Sequence, residues 1–218
     1  MAAETDEFLL TKSNASLFNN PYTIYKADPS PEVDAAWEEV SKTPVLALSV
    51  EEIRRIGKDP EVTVRVPEEF GLGKDMFFGI NDGQHLIHCL DQIRQFAHYD
   101  YYFQDKWGDM SNIPPMHAAH RSHCIGVLLD ALKCQPSLNM VTFSWMEEQE
   151  VPYPDFNLYR KCQNQDELIE WMESVEIKRE VINKWDFPRP ADAKVLPIEP
   201  ELKKLQHVHG MGHNGTWP

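Results

Sequence analysis

His85-Leu86-Ile87-His88-Cys89 and His120-Arg121-Ser122-His123-Cys124 are two copies of one pattern, His-x-x-His-Cys. Each is followed at once by an apolar residue (Leu90, Ile125) and by another three positions on (Ile93, Leu128). On a helix, residues at i, i+3 and i+4 share a face, so each copy sets two imidazoles beside a thiol. Two such helices brought together offer four imidazoles to a metal.

Working outward, the spacing predicts a first motif helix over about 82–103, with Leu86, Leu90, Ile93 and Ala97 on its apolar face. Gly108 and Pro114-Pro115 end it. A second helix over about 116–134 carries Val127, Leu128, Ala131 and Leu132. The short connection makes the pair antiparallel neighbours. Upstream, Ser30-Pro31 opens a helix to about residue 42, serine as cap and proline at the first helical position. Ser49 and Glu52 form a capping box for a short helix ending at Gly57. Residues 61–66 alternate apolar and polar as a strand does. A glycine turn at 71–73 leads to a partner strand at Met76-Phe77-Phe78. Downstream, 140–145 reads as a strand, and Asn164 with Glu167 caps a last helix over about 165–184. The expected fold is mainly α with a few short β-strands: an antiparallel pair of motif-bearing helices in a single helical domain. Residues 1–29 form an N-terminal arm, 30–185 the domain and 186–218 a proline-rich tail.

Composition narrows the partners. The 218 residues, 42% of them hydrophobic, suit one domain with a real core. A formal net charge of −14 argues against nucleic acid or an anionic membrane as partner, because phosphates are repelled. No stretch reaches the roughly 18–20 apolar residues that span a bilayer. Glu4, Asp6 and Glu7 stand where a signal peptide needs basic residues. As given, the chain reads as soluble. Sequons at Asn14 and Asn214 matter only in a secretory compartment.

The ligand types point to a borderline metal. Imidazole suits zinc, copper, iron and nickel. Structural zinc more often uses four cysteines, or two of each residue. A histidine-rich set without a matched carboxylate suits copper, which cycles between two oxidation states and handles oxygen. Non-haem iron normally takes two histidines and a carboxylate; Asp82 or Asp91 offers one, but neither has a counterpart in the second copy. Cys89 and Cys124 have three open readings: metal ligands, a disulfide bracing the helices, or buried free thiols. His117 reads as a neighbour of the site, His98 as structural, and His207, His209 and His213 as exposed tail residues. No nucleophile elbow, P-loop or dinucleotide fingerprint occurs.

Beyond the pattern, the chain resembles the fungal UstYa-like proteins. Residues 78–90 resemble the family's first motif, and His120 to Cys134 its second. Tyr159 to Trp171 resembles a later Cys-then-Trp segment, and Val33-Asp34-Ala35-Ala36-Trp37 an opening Asp-x-x-Trp helix. The resemblance implies a copper-dependent oxidoreductase of fungal secondary-metabolite or ribosomal-peptide biosynthesis. Its reaction would functionalise an unactivated C–H bond, by oxidative cyclisation, hydroxylation, desaturation or halogenation. It makes His85, His88, His120 and His123 the catalytic ligands of one or two copper ions, with zinc or iron as alternatives. The partners would be molecular oxygen and a small-molecule or peptide substrate, and a homo-oligomer is left open. It also implies a structural disulfide between Cys134 and Cys162, worth about 3 kcal/mol for the loop it closes. A secretory-lumen setting with an N-terminal anchor belongs to the same expectation, and this sequence shows no anchor. In place of the family's Leu-Arg-Gln run after the second motif stand Leu129-Asp130-Ala131. The rival readings are a metal-stabilised accessory or binding protein, and a zinc hydrolase.

Overall fold

The computed structural model describes residues 8–13, 15, 17, 23–182 and 189–209. Its helices are α1 (Pro31–Val40), α2 (Val50–Arg55), α3 (Asp82–Ala97), α4 (Tyr99–Tyr102), α5 (Gln104–Trp107), α6 (Pro115–Cys134), α7 (Gln165–Val175), α8 (Arg179–Ile182) and α9 (Pro200–His209). The strands are β1 (Phe8–Lys12), β2 (Leu46–Ser49), β3 (Met76–Gly79), β4 (Thr142–Ser144), β5 (Tyr153–Asp155) and β6 (Tyr159–Gln163). They pair antiparallel in three two-stranded ribbons, β1 with β6, β2 with β3 and β4 with β5. The fold is therefore mainly helical with short strands, as the periodicity predicts.

Local chemistry explains the boundaries. Ser30 caps α1 by accepting from Val33 N, with Pro31 following it. Ser49 and Glu52 close a full capping box on α2. Asn81 caps α3 through Gln84 N, and Asn164 caps α7 through Asp166 N. Pro115 sits in the first turn of α6, where its missing N–H costs nothing.

β1, β5, β6 and α9 form where the sequence predicts no element, and three predicted elements take another course. Residues 61–66 do not form a strand, because Asp59 gathers the amides of Glu61, Val62 and Thr63 into a turn. Their pairing with β3 is reduced to one bridge, Arg65 to Phe77, with Val66 N donating to Met76 O and Phe78 N to Val64 O, and β2 is the ladder partner on the other edge of β3. The first motif helix stops at Ala97, where His98 leaves helical geometry (φ −109°, ψ 46°) and two short turns follow. The last long helix stops at Val175. There Glu176 turns extended to bridge Leu46, and Ile177 N donates to Val45 O at 2.8 Å.

The β2–β3 ribbon is the centre of packing. Phe77, Leu46, Ile53, Val66, Met172 and Ile177 are buried around it, each contributing roughly 1.5–3 kcal/mol by leaving water. On its flank α3 carries the first motif and α6 packs along α3 with the second. No helix among the described residues is long and apolar enough to cross a membrane. His207 and His209 fall on α9, while His213, Asn14 and Asn214 lie outside the described residues.

Candidate metal centre

Within each motif the helix does what its period dictates. Cys89 Sγ lies 3.7 Å from His85 Nε2, four residues back, and Cys124 Sγ lies the same 3.7 Å from His120 Nε2. A repeat in sequence is thus a repeat in geometry. Antiparallel packing then crosses the pairs: the first histidine of one helix meets the second of the other. His85 and His123 approach to 3.5 Å between their Nε2 atoms, and the His88 and His120 rings lie 5.7 Å apart. His120 and His123 are near parallel, 6.2 Å between centroids. All four predicted imidazoles therefore face one seam between α3 and α6.

Burial grades across that seam. Cys89 and Cys124 are fully buried at its base, His85, His88 and His120 are half-buried, and His123 is exposed at its mouth. Burial pushes the Cys124 thiol up to about 12, helped by its hydrogen bond with Cys89. Cys124 is therefore held as a neutral thiol, and neither cysteine is in a disulfide. Burial also lowers His88, with His85 adding to the effect and Asp91 opposing it. His120 is lowered by burial and then by His88, His123, His117 and His85. Neutral imidazole is the form that ligates, so His88 and His120 are tuned toward donor capacity.

The donor set fits a metal ion. Ligand atoms of His85, Cys89 and His123 all lie within 4.8 Å of one another. Such a nitrogen-rich set with a soft sulfur suits copper or zinc far better than calcium or magnesium. Asp91 is not available as a carboxylate ligand. It is buried, accepts from Arg94 Nε at 2.7 Å on one oxygen and from Gln95 Nε2 at 2.7 Å on the other.

That ion pair belongs to a clamp the sequence reading missed. Arg94 also donates to Tyr102 Oη at 2.6 Å and to Asp34 Oδ1 at 3.3 Å, and Tyr102 donates to Asp34. Its guanidinium lies 5.2 Å over the Trp37 ring. Burial works against its charge, but hydrogen bonds to Asp91 and Tyr102 outweigh that and hold it charged above its ordinary value. Asp34 and Trp37 of α1 are thus fastened to the motif helix. The signal was present in Asp91, Arg94 and Gln95 at i, i+3 and i+4, on the same helix as the histidines but outside their motif.

Other histidines stand aside. His117 packs on Trp107, 4.7 Å between centroids, and His98 sits at the junction of α3 and α4. The implied Cys134–Cys162 bridge is not formed in the structure. Cys134 is an exposed thiol at the end of α6, and the Cys162 thiol turns back toward the Arg160 carbonyl of its own strand, 3.8 Å away.

A family model described as "Mycotoxin biosynthesis protein UstYa" matches residues 3–175. The chain belongs to the UstYa family. Both motif helices and the Arg94 clamp fall inside the UstYa match. Among similar proteins, UstYa family oxidase aprY of Aspergillus flavus is 31% identical over 208 residues, covering 93% of this chain and 61% of the relative. UstYa family oxidase phomYc of Diaporthe leptostromiformis is 26% identical over 176 residues, covering 77% of this chain and 63% of the relative. The chain thus spans about three-fifths of the length of these UstYa relatives. No solved structure matches it.

Proposed function

We propose that this chain is a copper-dependent oxidase of fungal secondary metabolism, acting on a C–H bond of a small molecule or peptide. The observation that carries the reading is the crossed histidine seam, with His85 and His123 Nε2 atoms 3.5 Å apart above two buried thiols. The similar UstYa proteins named as oxidases support the same class of reaction. His85, His88, His120 and His123 would hold the copper, as one ion or two. When bound, copper supplies one-electron redox chemistry and a place for oxygen to be reduced. The protein's own contribution is positional. Two rigid helices fix the imidazoles, the buried Cys89–Cys124 pair keeps water from the base of the seam, and His123 leaves its mouth open to a substrate. Hydroxylation, desaturation, cyclisation and halogenation share the first C–H cleavage, and the walls around the mouth choose among them.

A second reading is a zinc site, favoured by the Cys89 thiol among the ligand atoms of His85 and His123. Metal content by mass spectrometry, a copper EPR spectrum after reconstitution, and oxygen uptake with a reductant separate the two. Copper retained by the wild type and lost in His88→Ala and His123→Ala supports the oxidase. Zinc that copper does not displace, without oxygen uptake, overturns it. Oxygen-inert copper would leave an accessory protein.

A further inference from the structure

Gln84 precedes His85 by one residue and so points about 100° away round α3, toward α1 and α7 instead of α6. It is 5% exposed, and its Oε1 has no hydrogen-bond partner among the described residues. A buried carbonyl left unmatched is destabilising, so a fold keeps one where something donates to it. Gln84 lines a cavity of about 580 Å³ between the end of α1, the segment leading into β2, and α7. That volume is typical of small-molecule sites. Val45, Met172 and Ile177 give it an apolar wall, and Glu38, Glu173 and Glu176 stand around it. Among the described residues, Lys42 is the one cationic lining residue and is already paired with Glu39, whereas Glu38, Glu173 and Glu176 make no ion pair. An unmatched acceptor, an apolar wall and unneutralised carboxylates converge on one ligand chemistry.

We propose that this cavity binds a protonated organic amine on an apolar stem, its N–H accepted by Gln84 Oε1 and its charge met by Glu38, Glu173 and Glu176. Binding there needs no metal and stands apart from the oxidase reading.

Titrating the metal-free full chain with hexylamine and benzylamine, followed by amide NMR, tests the site; hexan-1-ol and benzyl alcohol are the neutral counterparts. The amines are expected to shift the amides of Gln84, Met172 and Ile177, and the alcohols are not. The Glu173→Gln/Glu176→Gln pair is expected to weaken amine binding about tenfold. Gln84→Leu is expected to weaken it as well, and a remote Glu147→Gln/Glu148→Gln control to leave it unchanged. Equal binding of amine and alcohol, or amine binding untouched by the Glu173/Glu176 change, overturns the assignment. Oxygen uptake by the copper-loaded protein, measured separately, reports on the oxidase alone.

Discussion

Replacing Arg94 by Met keeps the length of the side chain and removes its charge, and the structure gives the size of the effect. The guanidinium is 11% exposed and Asp91 9%, so the change strands a buried carboxylate. Breaking a buried pair from one side costs about 3–5 kcal/mol. Two features place the loss at the lower end. Gln95 still serves one Asp91 oxygen, and Asp34, 35% exposed, keeps Tyr102 and water. The expected loss is therefore about 3 kcal/mol. In a chain of this size that corresponds to a melting temperature lower by about 6–12 °C. Urea denaturation of wild type, Arg94→Met, Asp91→Asn and the double variant measures it. The double variant should be more stable than the sum of the singles predicts, because Asp91→Asn removes the stranded charge. A loss under about 1 kcal/mol in Arg94→Met, or strict additivity, would refute the claim that this clamp ties α1 to the motif helix.

Other outcomes follow from the same geometry. His98→Ala should keep the metal that His88→Ala and His123→Ala lose, since His98 lies off the seam; metal analysis of the three checks this. Metal-free protein should lose stability as pH falls below about 6.5. His88 and His120 are depressed when folded, so protons bind the unfolded chain more readily; their contribution is intact above the unfolded value and disappears as pH drops through the folded one. Denaturation midpoints between pH 8 and pH 5 test the sign. A small thiol reagent should leave Cys89 and Cys124 unmodified in the native protein and label both after unfolding, as mass spectrometry of the peptides would show.

What the sequence made legible was whatever rests on local periodicity. Both motif helices, the serine cap of α1, the capping box of α2 and the strand at Met76–Phe78 follow from spacings of two, three or four residues. The four-imidazole seam was legible because antiparallel neighbours need only a short connection. Long-range choices were not. Nothing local says that Met76–Gly79 forms its ladder with Leu46–Ser49, or that the turn at Asp59 trims residues 61–66 to a single bridge on the other edge. The stop of α7 at Val175 depends on Glu176 meeting Leu46, far away in sequence. Gln84 looked like any residue of a first helical turn until the fold enclosed it, and Arg94 showed its helix partners without showing Asp34.

The crossed pairing of the histidines also fixes how the two helices sit. Each rung of the seam has one end on α3 and one on α6, so neither helix alone carries the site. Sliding α6 by one turn, about 5.4 Å, would break both rungs together. The outward side of α6 shows Ile125, Leu129 and Leu132 to solvent, so its register against α3 rests on the seam: the histidine rungs, the buried Cys89–Cys124 pair and Arg121 over the Phe96 ring. An ion seated across the rungs would therefore act as a bolt between the helices. The free energy of loading such an ion would also be free energy of docking α6, so metal affinity and the firmness of this helix pair would rise and fall together.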